Sequence, residues 1–363
     1  MTGKEPAVTL SSTWGERGIG EMTGPTQKNL PLVSVIVPVF NNGRFIGPAL
    51  ESLFRQTYPE ERREIIVVDD GSTDDTPEIL KKYGQHIFHI RQEHRGVAGA
   101  RNAGISCARG ELITFLDSDD LWYEERLQRV VGKFLENPAA GMVYHPVELI
   151  NSEGGTIKKN FYSAFGYKEG ISGWVANEVA SGKIFSGGSS FSFRKDIVAM
   201  VSPSPEDVRR GEDYYMTVIS SCYGPVGYIP HILGKYRLHD GNLTMSEGLD
   251  DRITLAAKNK DFAHMRQKVI EKISSLGAPH ANNLDLNILR RLQAKELIFF
   301  HVLTEERARA IKQIPALFTG SLSLRELLRS VAVSVMALFV PAFLYPILVQ
   351  TPRLLRGLRI LTV

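Results

Sequence analysis

Cysteine is scarce. Cys107 and Cys222 are the only two in 363 residues. Two thiols cannot build a disulfide-dense scaffold or a four-cysteine zinc site. They suit a reducing compartment. An excess of one charge is also missing. Lysine and arginine number 43 against 40 acidic residues, a net charge of +3. A chain built to coat nucleic acid is usually more one-sided, so no nucleic-acid partner is expected. Residues 1–30 hold no apolar run long enough for a signal-peptide core, and their scattered Gly, Thr, Ser and charges predict a flexible leader. There is no internal repeat and no sustained heptad. A Walker phosphate loop is absent, and His94–Asn102 carries no Gly-x-Gly-x-x-Gly fingerprint. These absences argue against P-loop and dehydrogenase chemistry. What remains is ordinary globular composition, 43% hydrophobic and 23% charged.

The first third of the chain alternates two textures. Leu32–Phe40 is a nearly continuous β-branched run, as expected for a strand buried on both faces. Asn41-Asn42-Gly43 turns the chain, and Phe45–Gln56 then has helical apolar spacing. Glu64–Asp70 reads as a second buried strand, Asp75–Tyr83 as a helix and Ile87–Arg91 as a third strand. Gly96–Ala108 predicts a helix, Glu111–Leu116 a fourth strand and Trp122–Leu135 another helix. Such alternation implies an α/β, doubly wound, mostly parallel sheet. Ligands of such sheets sit beyond the carboxyl ends of the strands. The acidic clusters Asp69-Asp70 and Asp117–Asp120 both fall there, so one crevice should hold both.

Several side-chain groups could carry chemistry. Asp117 and Asp119, one residue apart on a loop, could hold Mg²⁺ or Mn²⁺ together with a substrate's phosphates. The alternative is a solvated turn capping the helix at Trp122, with Asp120 as its N-cap. Asp69-Asp70-Gly71-Ser72 could accept hydrogen bonds from a base or a ribose, or could simply be an Asp-Gly turn. In His94–Asn102 the small residues would let a ligand approach the backbone, with Arg95 and Arg101 facing phosphate; the same glycines would also let a helix pack closely on the sheet. Glu212-Asp213 heads an aromatic, apolar helix and offers either a general base or a helix cap. His239, after a strand ending near Tyr236, could face metal or phosphate, or be a plain surface histidine.

Taken together and in order, these blocks resemble the family 2 inverting glycosyltransferases of the GT-A fold. The matching text is Val33–Asn41, Ser52–Tyr58, Glu64–Asp74, Gly96–Gly104 and Ala108–Asp120. The likeness covers 32–136 strongly and 137–245 more loosely. It implies a nucleotide-sugar donor, most often a UDP-sugar, and Mn²⁺ or Mg²⁺ as cofactor. By this resemblance Pro38, Phe40 and Asp70 line the nucleobase pocket, with Asp70 facing uracil, and Arg101 lies in the nucleotide-contact helix. Asp117 and Asp119 match the aspartate-x-aspartate motif, Asp119 as direct metal ligand and Asp117 as its companion at nucleotide and metal. His239 matches a position that assists the metal. Asp213 matches the catalytic base. Gly187, Gly188 and Ser189, with Glu212, fall in the sugar and acceptor region. No Gln-x-x-Arg-Trp block follows the Glu-Asp pair, which sets the chain apart from processive synthases and favours one sugar per encounter.

Two rival readings remain open. A nucleotidyltransferase would need a glycine- and lysine-rich phosphate loop, and Val39–Arg44 offers only Gly43 and Arg44. A non-catalytic nucleotide-sugar-binding scaffold would not need Asp119 or Asp213. The expected organisation is a leader (1–30), a GT-A domain (31–245) with an acceptor-side extension, a helical region (246–320) and an apolar, basic tail (321–363). Within the tail, 330–352 lacks charge, while Arg325, Arg329, Arg353, Arg356 and Arg359 flank it. This predicts contact with a membrane surface, a cytoplasmic location at the inner face of the cell membrane, and a glycan or lipid-linked acceptor. The sugar and the oligomeric state are not legible.

Overall fold

The computed structural model describes residues 29–162, 167–184, 187–243, 252–276, 284–304 and 306–320, with parts of 322–334. The predicted leader and most of the apolar tail lie outside the described residues. The chain divides after Leu30, and both sheets and all the helices below belong to the unit that begins at Pro31.

Strand β1 (Val33–Val39) is buried along its whole length. It pairs in parallel with β2 (Arg63–Asp69) on one side and β4 (Leu112–Phe115) on the other. That two-sided pairing is why its residues read as an unbroken apolar run. Beyond β2 lies β3 (Phe88–Arg91), also parallel. The sheet continues past β4 through β9 (Phe191–Arg194), β6 (Met142–Tyr144) and β10 (Val226–Tyr228), giving the order β10-β6-β9-β4-β1-β2-β3. Only β9 runs against its neighbours. The expected doubly wound, mostly parallel sheet is therefore present, with one antiparallel insertion.

Helices α1 (Gly43–Phe54), α2 (Thr76–Lys81) and α3 (Gly96–Cys107) connect the parallel strands. On α3, a Cβ added to Gly104 would stand 2.4 Å from Ile36 Cγ2, so glycine sets how closely this helix approaches β1. Ile36 is fully buried there, worth about 1.5–3 kcal/mol relative to exposure.

A second, smaller sheet has the order β5-β11-β7-β8, from Leu121–Trp122 (β5), Val147–Ile150 (β7), Thr156–Lys158 (β8) and Gly234–Arg237 (β11). It corrects one expectation. Trp122 belongs to a strand paired with Gly234 of β11, and helix α4 (Arg126–Glu136) begins only after it. Asp120 does not cap that helix: its Oδ1 accepts a hydrogen bond from the Arg237 backbone N–H at 2.9 Å.

The remaining helices are α5 (Ala176–Ala180), α6 (Lys195–Val201), α7 (Glu212–Tyr223), α8 (Arg252–Ser275), α9 (Leu286–Leu303) and α10 (Arg307–Gln313). Met265, Val269 and Ile273 of α8 join the same apolar core as Ile36 and Phe115. Leu255, Ile298, Leu303 and Leu317 form a separate cluster among the last helices.

Candidate active site

Register brings the predicted groups together. Val39 stands opposite Asp69, and the Asp70 N–H donates to Val39 O at 2.8 Å. On the other flank the Leu116 N–H donates to Ile36 O at 3.0 Å, which sets Asp117 beside the end of β1. The antiparallel β9 carries Gly187–Ser190 to the same edge, where Ser189 Oγ accepts the Asp117 N–H at 3.0 Å. β11 delivers His239, and α7 begins with Glu212 and Asp213. A cleft of about 800 Å³ opens here. Pro38, Phe40, Asp70, Arg101, Asp117, Asp119, Gly187, Gly188, Glu212, Asp213 and His239 all line it. Ser189 is buried behind the lining, and its carbonyl also accepts the Trp122 indole N–H.

At one end, the exposed Phe40 ring stacks on His94, centroids 4.0 Å apart. Asp70 is buried beneath. Its Oδ1 accepts from Gln92 Nε2 (2.6 Å) and the Arg95 N–H (2.9 Å); its Oδ2 accepts from the Gly96 N–H (2.8 Å) and meets His94 Nδ1 at 2.9 Å. A carboxylate has about four acceptor positions, so these partners fill it. Asp70 first of all holds the turn at 92–96, where Gly96 takes φ +77°. An incoming imide N–H must displace one of these partners, and the half-exposed His94 is the most accessible.

In the middle, Asp119 Oδ2 lies 2.9 Å from His239 Nε2, and the Asp119 carbonyl accepts from Arg237 Nε at 2.7 Å. Among the described residues no three carboxylate, imidazole or thiol ligands converge on one point. Yet Mg²⁺-type ions commonly take only one or two protein ligands and complete their shell with phosphate oxygens and water. Asp119 and His239 fit that requirement. Asp117 is engaged elsewhere, because its Oδ1 accepts from Arg101 Nη2 at 2.6 Å. Burial and the negative charges of Asp119 and Asp117 hold Asp120 well above the usual carboxylate range.

Arg101 forms the hub of the other end. It is almost fully buried. Nη1 donates to Glu212 Oε2 and to Asp213 Oδ1 (3.2 Å), while Nη2 holds Asp117. The guanidinium lies 5.0 Å from the Phe115 ring centroid. Burial opposes its charge, but three carboxylates more than offset that and raise it well above the usual arginine value. One cation among three acids leaves negative charge in excess. Burial pushes Glu212 up to about 7, with Arg101 opposing and Asp213 adding to the rise. Burial likewise pushes Asp117 up to about 6. A Cβ at Gly188 would meet Arg101 Nη2 at 2.0 Å, so only glycine leaves room for this guanidinium. Read from sequence as a nucleotide contact, Arg101 here spends its hydrogen bonds on neighbouring acids.

Other lining residues carried no motif. Glu206, Asp207, Val208, Arg209 and Arg210 form a strap along the cleft, and Arg95 clamps Glu206 with two hydrogen bonds of 2.9 and 2.6 Å. The dense charge of 206–210 just before Glu212 was the available signal.

Residues 34–187 match the model of the glycosyl transferase family 2. The chain contains a family 2 glycosyltransferase domain. Among curated relatives, an uncharacterized glycosyltransferase of Nostoc sp. is 29% identical over 219 residues, 59% of this chain and 67% of that protein. Glycosyltransferase AglE of Haloferax volcanii is 32% identical over 194 residues, 52% of this chain and 60% of that one. For other relatives the shared stretch is as little as 29% of their length. Among solved structures, S. aureus TarS 1-349 in complex with UDP-GlcNAc aligns with TM-score 0.54 and 20% identity, covering 84% of this chain and 81% of that chain. The mannosyltransferase PcManGT of Pyrobaculum calidifontis, in complex with GDP-Man and Mn²⁺, aligns with TM-score 0.53 and 22% identity, covering 89% and 85%. The fold of this glycosyltransferase domain is accordingly GT-A, with a helical C-terminal region.

Proposed function

We propose that the protein is an inverting glycosyltransferase that moves one sugar from a nucleotide-sugar, a UDP-sugar first, to an acceptor hydroxyl. The observation that carries this reading is that two partly exposed carboxylates, Asp119 and Asp213, line one cleft. Asp119 pairs with His239 and Asp213 with Arg101, and both carboxylates are partly open to solvent. Asp213 takes the acceptor's proton as its oxygen attacks the anomeric carbon from the face opposite the diphosphate, which inverts that centre. The stacked rings of Phe40 and His94 offer an aromatic face to the nucleobase, and Gly187 and Gly188 line the part of the cleft that takes the sugar. Mn²⁺ or Mg²⁺ held by Asp119 and His239 would supply positive charge to the departing diphosphate. The nucleotide-sugars in the two structural neighbours, and the Mn²⁺ in one, support this reading.

Thermal unfolding with UDP or GDP, with and without Mn²⁺, tests it. A nucleotide at about 100 times its dissociation constant adds about 2.7 kcal/mol and a clear melting shift. The shift should need the metal and should vanish in Asp119→Asn. No shift with either nucleotide would leave the fold without a donor site and reject this reading, whereas a nucleotide-sugar that binds yet is never turned over would favour the scaffold. A GDP-only shift would move the donor class.

The acceptor is proposed to be a glycan or lipid-linked molecule at the inner face of the cell membrane. No helix among the described residues is long and apolar enough to cross a membrane. The last helical region nevertheless exposes Ile311, Phe318, Leu327 and Val331, and Lys312 and Arg309 in the same region are exposed cations. Such a pattern suits a lipid surface with anionic headgroups. The full chain should float with phosphatidylglycerol vesicles and much less with phosphatidylcholine ones. Phe318→Ser with Leu327→Ser should weaken flotation several-fold; equal flotation by parent and variant would reject this surface.

A further inference from the structure

Asp213 has little to hold its side chain. Its one described hydrogen bond is the 3.2 Å contact from Arg101. Its position therefore depends on the backbone of 210–214, and that backbone is gripped from outside the sheet. Before Asp213, Arg210 Nη1 donates to Asp261 Oδ2 of α8 at 2.5 Å, and Arg210 Nε donates to Leu243 O at 2.8 Å. Gly211 follows at φ +89°, a left-handed conformation that starts α7. A Cβ placed on Gly211 would stand 3.2 Å from Met265 Cγ and 3.4 Å from Phe262 Cδ1, both on α8. After Asp213, the Tyr214 hydroxyl donates to Ala180 O at 2.7 Å and accepts from Arg266 Nη1, again on α8. Arg266 is itself fixed by two bonds from Nε to Glu296 of α9, 3.0 and 2.9 Å. Further up the strap, Asp207 pairs with Lys268 at 2.8 Å. One helix thus holds residues 207, 210, 211 and 214.

We propose that helix Arg252–Ser275 is a positioning element of the catalytic centre, with Asp261 and Arg266 bracketing Asp213 through Arg210 and Tyr214. This goes beyond the family match, which stops at residue 187. It rests on the reading of Asp213 as the base. The physical reason is geometric. A base misplaced by about 1 Å costs on the order of 10² in rate. A positive-φ glycine just before the helix's first acids cannot by itself supply that precision. Neither Asp261 nor Tyr214 lines the cleft, so neither touches donor or acceptor.

The test uses the full chain with Asp261→Asn, Asp261→Glu and Tyr214→Phe, changes of nearly constant shape. Amide exchange in 208–217 should speed about tenfold or more in Asp261→Asn and Tyr214→Phe, with Val33–Val39 unchanged. With UDP-GlcNAc or GDP-mannose and Mn²⁺ as probes, diphosphate release should fall roughly 10- to 100-fold in kcat. The dissociation constant of UDP or GDP should stay within about twofold of the parent, and Asp261→Glu should recover both exchange and rate. Unchanged exchange overturns the proposal whether or not either probe is turned over. So does a joint fall of kcat and nucleotide affinity, which would mark a general lesion. An Asp213→Asn protein as active as the parent would instead defeat the base assignment and leave the exchange data to judge the grip alone.

Discussion

Asp213→Asn should lower turnover by roughly 10²–10⁴ while nucleotide affinity stays at the parental level. The two acids at the head of α7 are neighbours in sequence but not in environment. Glu212 is 1% exposed, bound by Arg101 at one oxygen and by Ser204 Oγ at 3.4 Å on the other. It has no free oxygen to offer a hydroxyl. The Asp213 side chain is 29% exposed and faces the cleft with one oxygen that accepts no described hydrogen bond. A general base must stand within hydrogen-bond reach of the proton it takes, and of the pair only Asp213 can. Asparagine keeps the shape and an oxygen for Arg101, but it cannot take a proton. The loss should therefore fall on kcat, read from diphosphate release under saturating donor and acceptor. Nucleotide binding, read by calorimetry, should not move. Equal turnover by variant and parent would remove Asp213 from the mechanism. Glu212→Gln provides the contrast: its effect should appear first in unfolding, because Glu212 sits inside the protein's charge hub.

Where the sequence was legible, burial made it so. β1, β2 and β4 are covered on both faces, and their β-branched runs show it without reference to any partner. The acidic strand ends followed from the same pattern, since a parallel sheet opens its crevice at the carboxyl edge. Trp122 misled because its apolar spacing merges with that of α4. Its strand state comes from pairing with Gly234, more than a hundred residues away. Asp120 looked like a cap for the same reason, whereas its partner is the distant Arg237 backbone. A basic residue in a glycine-rich segment has the local meaning of a phosphate contact, and nothing in the sequence near Arg101 announces its carboxylate partners. Its acids come from Asp117, Glu212 and Asp213, and the last two arrive only through folding. The helical region at 246–320 was legible as such, but its polar grip on 207–214 had no local signature. Periodicity reports which face is buried and says nothing of which ion pair crosses it.

Arg101→Met should cost the fold about 3–5 kcal/mol at neutral pH, because it strands the buried Glu212 and takes the same cation from the partly exposed Asp117 and Asp213. Methionine fills similar volume against Phe115, so the loss would not be a cavity effect. The pH dependence separates charge from packing. Glu212 and Asp117 already have folded values near 7 and 6, above their ordinary ones. An acid raised in this way binds its proton more readily folded than unfolded. Its contribution is therefore complete below the ordinary value and is lost as pH rises through the folded value. Arg101 pulls both acids down, so its removal moves them further up and extends that loss to higher pH. The variant should consequently lie close to the parent at pH 5 and far below it at pH 8. Urea unfolding midpoints at the two pH values measure this directly. A penalty independent of pH would show that Arg101 serves by packing alone. A penalty that grows from pH 5 to pH 8 would establish that a single buried cation holds Asp117, Glu212 and Asp213 in one charged structure.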